Sequence, residues 1–188
     1  GFIAEHYGKG FAAEDVPHDD SDFLVALAAF VRRKSRERAA NLAMAEHIRG
    51  CTAVAVHVRF FDEPHTTSTN NPPGDYYTRA IEAIERLAPA AHYFVFSDQP
   101  EAARPRILLP DARVTLVAHN QGDDNAYADL WLMTQCQHFI IANSTFSWWG
   151  AWLKNNADGL VIAPNRWIRD DKQNLADLLP PQWQKLPA

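Results

Sequence analysis

The chain has little of what marks several functional classes. It carries two cysteines in 188 residues, Cys51 and Cys136. Both sit in apolar surroundings without metal-ligand spacing, which excludes a disulfide framework and fits a reducing cytoplasm. Its eight histidines are scattered with no HExxH spacing, so no metal site is expected. Glycine is sparse, at eight residues, and neither the glycine-rich dinucleotide fingerprint nor the P-loop occurs. Basic residues are outnumbered, 18 Lys and Arg against 23 Asp and Glu, for a formal net charge of −5. Non-specific binding to nucleic acid or an anionic membrane is excluded, and any phosphate ligand must be held by a local arrangement. No apolar run reaches membrane-spanning length. The start lacks a methionine and a signal-peptide pattern, so Gly1 reads as a processing scar on part of a longer protein. What remains, 47% hydrophobic and 22% charged, is an ordinary globular chain with room for one core and an appendage.

The stretch around which the rest is organised runs from Ile140 to Leu153. Phe139 to Ala142 is a short apolar run of the kind a doubly covered parallel strand shows. Asn143 or Ser144 then makes a good helix N-cap, and the backbone N–H groups behind it form a ready anion site. Beyond the cap, Phe146, Trp148, Trp149, Trp152 and Leu153 make the helix apolar on more than one side, so it is expected to be buried. A capped core helix without a ligand would look the same.

Residues 1–50 read as an N-terminal segment. The first twenty residues carry no period, and residues 22–49 follow helical spacing as one or two helices ending near Gly50. The cluster Arg32-Arg33-Lys34 is either a phosphate grip or, more simply, a solvated helix face. From 51 to 188 strands and helices alternate. Strands are expected over 53–58, 93–96, 114–118, 139–142 and 160–163. Helices are expected over 76–87, over 101–109 in broken form around Pro105, over 126–136, after Ser144 and over 173–179. Residues 63–75, rich in Pro, Thr and Asn, make a loop expected to be mobile and to cover a ligand. The fold class is therefore α/β, a Rossmann-like mainly parallel sheet covered by helices on both faces.

Ligands of such sheets sit beyond the carboxyl ends of the strands, where this sequence clusters polar residues. His57, Arg59 and Asp62 follow the first strand, Ser97 and Asp98 the second, residues 119–125 the third, Asn143 to Thr145 the fourth, and Asn165 and Arg166 the fifth. A helix N-terminus contributes about 0.3–2 kcal/mol toward an anion. An arginine bond adds about 1.5–3 kcal/mol, whereas micromolar binding needs about 8 kcal/mol. The two features could orient a diphosphate but need a base or sugar contact as well. Asp98 suits a guanine edge, or else caps the helix before Pro100. Arg59 binds phosphate, or else makes a surface salt bridge. A nucleophilic role for Ser144 fails for want of a nucleophile elbow and a base.

Three segments resemble the α-1,2-fucosyltransferases. His57-Val58-Arg59-Phe60-Phe61-Asp62 is similar to their His-x-Arg-Arg-x-Asp motif, and Phe96-Ser97-Asp98 to their Phe-Ser-Asp segment. Asp129-Leu130-Trp131-Leu132-Met133, with Cys136, His138 and the run from Ile140 to Leu153, resembles their longest block. The resemblance covers about residues 51–168. It implies the nucleotide-binding half of a GT-B-type glycosyltransferase, with GDP-fucose as donor, a glycan acceptor, inversion at the fucose carbon, and neither metal nor cofactor. By position it implies Arg59 on the diphosphate, His57 beside the nucleotide, Asp98 on the base, and Asn143, Ser144, Thr145 and Phe146 at the phosphate-binding corner. Asp62 is the candidate general base, with orientation of Arg59 as its alternative. The expected location is cytoplasmic, with peripheral attachment to the inner membrane left open. Two positions depart from the family pattern: Phe60 stands for the second arginine, and Gln99 for an acidic residue. An arginine restored at 60 is expected to be tolerated. The short upstream region leaves two alternatives, a binding module without catalysis and a related transferase using another nucleotide sugar.

Overall fold

The computed structural model describes residues 29, 39–61, 70–120, 122–154, 159–167 and 178–188. Its described helices are α1 (Ala39–Arg49), α2 (Gly74–Leu87), α3 (Pro100–Ala103), α4 (Ala126–Met133) and α5 (Thr145–Lys154). The strands are β1 (Ala53–Val58), β2 (His92–Ser97), β3 (Val114–Val117), β4 (His138–Ile140), β5 (Val161–Pro164) and β6 (Gln184–Leu186). They form one six-stranded sheet in the order β3-β2-β1-β4-β5-β6. Every neighbouring pair is parallel. The order reverses between β1 and β4, which makes their carboxyl ends the topological switch point where doubly wound sheets take ligands.

The central strands are buried on both faces, and for that reason they read as continuous apolar runs. All six residues of β1 are buried. Ala53 and Ala55 pack with Phe94, Phe96, Phe139 and Ile141 against α1, α4 and α5. Val54, Val56 and Val58 face the other way, with Tyr93, Val95, Ile140 and Ile162, against α2 and the chain after α3. Strand alternation therefore sends His57 and Arg59 toward the α5 side and Phe60 toward the α2 side. α2 follows its apolar spacing closely, burying Tyr76, Tyr77, Ala80, Ile81, Ala83 and Ile84. Each large side chain buried in this way contributes about 1.5–3 kcal/mol. α1, from the segment before residue 51, buries Asn41, Ala45 and Ile48 in the same core.

Several expectations are corrected. β6 makes a sixth strand where five were expected; it is three residues long and largely exposed, so no apolar run betrays it. The helix expected over 101–109, broken around Pro105, does break there, into a single α-turn and a 3-10 turn at Arg104–Arg106, but ends three residues early. α5 is not buried all round: its buried residues are Ser147, Gly150 and Ala151, and Trp152 is 39% exposed. Small residues let α5 approach α4, where a Cβ on Gly150 would meet Met133 at 3.1 Å, and the tryptophans flank that contact. Of the helix expected over 173–179, residues 173–177 lie outside the described residues, and Leu178 and Leu179 form a turn and bend. Most of the expected helical segment 22–49, including Arg32-Arg33-Lys34, also lies outside them.

Candidate functional site

Two chain exits meet at the switch point. At the end of β1, His57 is 4% exposed, and its ring lies 5.4 Å from that of Phe146 in the first turn of α5. Burial, reinforced by the Arg59 charge, lowers its pKa to about 3, so the imidazole is neutral at physiological pH. Its Nδ1 has no hydrogen-bond partner among the described residues. A buried polar atom left unpaired costs about 1–3 kcal/mol, a cost that a ligand could remove.

Arg59, one pleat beyond His57, reaches the surface. Its Nη1 lies 3.4 Å from Asp98 Oδ2, with side-chain exposures of 43% and 26%. Asp98 Oδ1 also accepts the Phe60 N–H at 3.3 Å. An exposed pair of this kind contributes about 0–1 kcal/mol, so Arg59 can leave it for a phosphate at small cost. Asp98 is not a helix cap: Gln99 stands at the N-cap position of α3, and the Gln99 N–H donates to Ser97 Oγ instead.

Across the crevice, α5 opens at Thr145, and Ser144 occupies the N-cap position, its carbonyl accepting the Trp148 N–H at 3.0 Å. Thr145 is exposed. Asn143 does not cap the helix. Its Nδ2 donates to Asn70 O at 3.1 Å and Trp167 O at 3.0 Å, and its Oδ1 is unpartnered among the described residues. Asn143 thus ties together the loops that follow β1, β4 and β5.

A brace that the sequence did not reveal links these exits. The Tyr77 hydroxyl donates to His57 O at 3.2 Å. The Tyr76 hydroxyl donates to Ile141 O at 2.7 Å and Ile162 O at 3.3 Å. The Phe61 N–H donates to Asn71 Oδ1 at 2.7 Å, and Arg106 Nη1 donates to Pro72 O at 2.8 Å. Residues 70–77 therefore fasten the ends of β1, β4 and β5 together. On spacing alone the tyrosines read as core; only their hydroxyls mark the second role.

Phe60 is 5% exposed and lies under the Arg106 guanidinium, 5.0 Å from ring centroid to Cζ. An arginine there would bring a charge into the core beside another, which argues against the tolerance expected from the family motif. Asp62 lies outside the described residues, as does most of the expected covering loop. A second polar cluster follows β3. Asn41 Oδ1 is 2.7 Å from both His119 Nε2 and Asn120 Nδ2, and Asn120 Nδ2 also donates to Asp129 Oδ1 at 2.9 Å. Burial pushes the Asp129 carboxyl up to about 7, opposed by the Asn120 hydrogen bond.

Among the described residues no group of three or more His, Cys, Asp or Glu side chains is placed to hold a metal ion, and no helix is long and apolar enough to cross a membrane. A depression of about 410 Å³ at the opposite edge of the sheet, lined by Thr52, Leu87, Pro89, Gln137 and His138 among others, has no Arg, Lys, Asp or Glu in its lining. The candidate site residues His57, Arg59 and Ser144 lie at the carboxyl edge instead.

Comparison with known proteins agrees with the resemblance read from the motifs. The chain is 33% identical to an alpha-1,2-colitosyltransferase from Escherichia coli over 147 residues, 76% of this chain and 50% of that protein. It is 32% identical to the O-antigen biosynthesis glycosyltransferase WbnK from Escherichia coli over 124 residues, 64% of this chain and 40% of that one. It thus spans half or less of the length of these relatives. Among solved structures, NodZ alpha-1,6-fucosyltransferase co-crystallized with GDP matches with a TM-score of 0.47 at 19% identity, covering 72% of this chain and 47% of that one. A second NodZ structure, from Bradyrhizobium, matches at 0.46 and 18%, with the same coverage. The model of glycosyl transferase family 11 matches residues 6–186, and with nearly the whole chain inside that match, the chain belongs to glycosyl transferase family 11.

Proposed function

We propose that this chain forms the donor-binding part of an inverting, metal-independent transferase that moves L-fucose from GDP-β-L-fucose to a hydroxyl of a glycan acceptor, in an α-1,2 linkage. The observation that carries the reading is the convergence at the switch point of a neutral His57 with an unpaired Nδ1, a weakly held Arg59 and the open start of α5.

In the reaction the acceptor oxygen attacks the anomeric carbon, the bond from that carbon to the β-phosphate oxygen breaks, and the acceptor proton passes to a base. Negative charge grows on the departing diphosphate, and groups already aimed at it lower the barrier. Arg59 and the first N–H groups of α5 would supply that charge stabilisation. The His57 imidazole, uncharged, would donate from Nδ1 in the tautomer that carries its proton there. As Arg59 moves to the diphosphate it frees Asp98 Oδ2, and the carboxylate then has an oxygen to offer a guanine N–H edge. Asp62 remains the candidate base.

A second donor is favoured by one finding, the 33% identity to an alpha-1,2-colitosyltransferase. Colitose is L-fucose without the hydroxyl at carbon 3, so the same diphosphate site would serve GDP-colitose. Calorimetric titration in EDTA tests the reading: GDP should bind more tightly than UDP or ADP. Equal binding of UDP, or a requirement for a divalent cation, would overturn it. Turnover of the two GDP-sugars with galactoside acceptors then separates a transferase from a module that only binds.

A further inference from the structure

Phe61 is a half-exposed aromatic, 49% accessible, two residues beyond Arg59 at the carboxyl end of β1. Single exposed apolar residues are common and mean little alone. Leu87, more exposed still, closes α2 at the other edge of the sheet. Phe61 differs in how it is held. Its backbone N–H is fixed at 2.7 Å by Oδ1 of Asn71, a side chain itself 7% exposed. The preceding residue, Phe60, is locked into the α2-side core, which leaves Phe61 to be turned outward. The Arg59 guanidinium stands over the ring, its Cζ 5.6 Å from the centroid. The chain therefore presents a half-exposed phenyl ring, on an anchored backbone, directly beside the Arg59 cation.

In a nucleotide diphosphate sugar the anomeric oxygen belongs to the β-phosphate, so the sugar ring lies immediately next to whatever grips that phosphate. If Arg59 grips it, the ring lies over or against Phe61. A phenyl face attracts carbon and hydrogen and offers no partner to a hydroxyl. It therefore favours a sugar edge from which oxygen has been removed, and a new hydroxyl against it loses its hydration without compensation. A 6-deoxy-L-hexose has such an edge at its methyl group. We propose that Phe61 is a specificity residue of the donor pocket, an apolar platform that selects a deoxygenated sugar on the diphosphate. The proposal rests on the donor-binding reading above and deepens it.

The test is calorimetric titration of the parent, Phe61→Ala and Phe61→Leu with three probes: GDP, GDP-β-L-fucose and GDP-β-L-galactose. The two sugars differ only by the hydroxyl at carbon 6. The parent should prefer the fucose compound. Phe61→Ala should bind GDP as the parent does, lose about tenfold on GDP-β-L-fucose and lose the preference over GDP-β-L-galactose, the scale of one methyl contact in an apolar pocket. Phe61→Leu, still apolar, should keep most of both. A parent that does not distinguish the two sugars, or a Phe61→Ala protein that still does, overturns the platform. If Phe61→Ala weakens GDP and GDP-β-L-fucose equally, the ring acts only by orienting Arg59 and the proposal is wrong. A parent that binds no GDP removes the donor-binding reading itself, an outcome distinct from these.

Discussion

The two edges of the sheet each hold an arginine paired with a carboxylate, and the two pairs are built differently. At the amino edge, Arg113 grips Glu85 with two bonds of 2.8 and 2.7 Å. It also donates twice to Ala91 O, and its Cζ lies 5.7 Å from the Tyr93 ring centroid. Glu85 in turn accepts the Tyr93 hydroxyl at 2.6 Å, and the Arg113 hydrogen bond holds its pKa below the usual carboxylate range. At the carboxyl edge, Arg59 has one 3.4 Å contact to Asp98 and a side chain 43% exposed. The same edge leaves His57 Nδ1 and Asn143 Oδ1 without a partner among the described residues. One edge uses its polar groups on itself; the other keeps them available. That contrast, more than any single residue, separates an ion pair locked into the scaffold from one that is weakly held.

The sharpest way to break the comparison is to remove each arginine. Arg59→Ala should weaken GDP by ten- to a hundred-fold or more, the loss of a charge-assisted contact of about 1.5–3 kcal/mol, with almost no change in melting temperature. Arg59→Lys should recover only part, because an ammonium cannot make the bidentate contact. Arg113→Ala should do the reverse, costing about 1–3 kcal/mol of stability and leaving GDP affinity alone. That cost should shrink in acid: a carboxyl with a depressed folded-state pKa stabilises above its unfolded pKa and loses the contribution as pH falls. Calorimetric titration and thermal melts of the two variants decide it, and a folded Arg59→Ala protein that binds GDP normally would sink the site.

A pH-dependent effect on stability alone should come from the polar cluster behind β3. Asp129 is the opposite case to Glu85, since burial raises its carboxyl to about 7. Between pH 4 and 7 the folded state holds a proton that the unfolded state has released, so this group lowers stability as pH rises through that window. Asp129→Asn keeps the acceptor for Asn120 and removes the titration. The variant should gain on the parent from pH 4 to 7, by at most about 1.4 kcal/mol per pH unit, and the gap should stay constant above. Denaturant melts across that range would read it, and parallel curves would show that Asp129 is not buried as described.

Much of the fold was legible for a physical reason. A strand covered on both faces must be apolar at every position, so β1, β2 and β4 announced themselves, and the loops at their carboxyl ends stood out as polar. The failures have reasons too. β6 at the sheet edge needs no apolar residue. α5 was overread because tryptophans dominate a hydrophobic pattern, whereas close helix packing is done by Ser147, Gly150 and Ala151. Of the candidate site, His57 near the end of β1, Arg59 just beyond it and the corner at Ser144 after β4 are legible from their place at strand ends. The pairing of Arg59 with Asp98, and the brace from residues 70–77, join segments far apart in sequence and leave no periodic trace.

That brace yields the finest test of the contrast between edges. Tyr77→Phe keeps the buried ring and deletes one hydroxyl, whose hydrogen bond to His57 O is worth about 0.5–1.5 kcal/mol. If the bond were only structural, as at the amino edge, the loss would appear in stability and nowhere else. If it sets where His57 and Arg59 stand relative to α5, GDP affinity should also fall, by about two- to tenfold. Thr78→Ala is the control, because its hydroxyl donates within the helix to Gly74 O and touches no strand exit. It should change neither quantity beyond a few tenths of a kcal/mol. GDP titrations of both variants, at a temperature where each is fully folded, separate the cases. A Tyr77→Phe protein with lowered stability and unchanged GDP affinity would place the tyrosine brace with the Arg113 network, as scaffold rather than as part of the site.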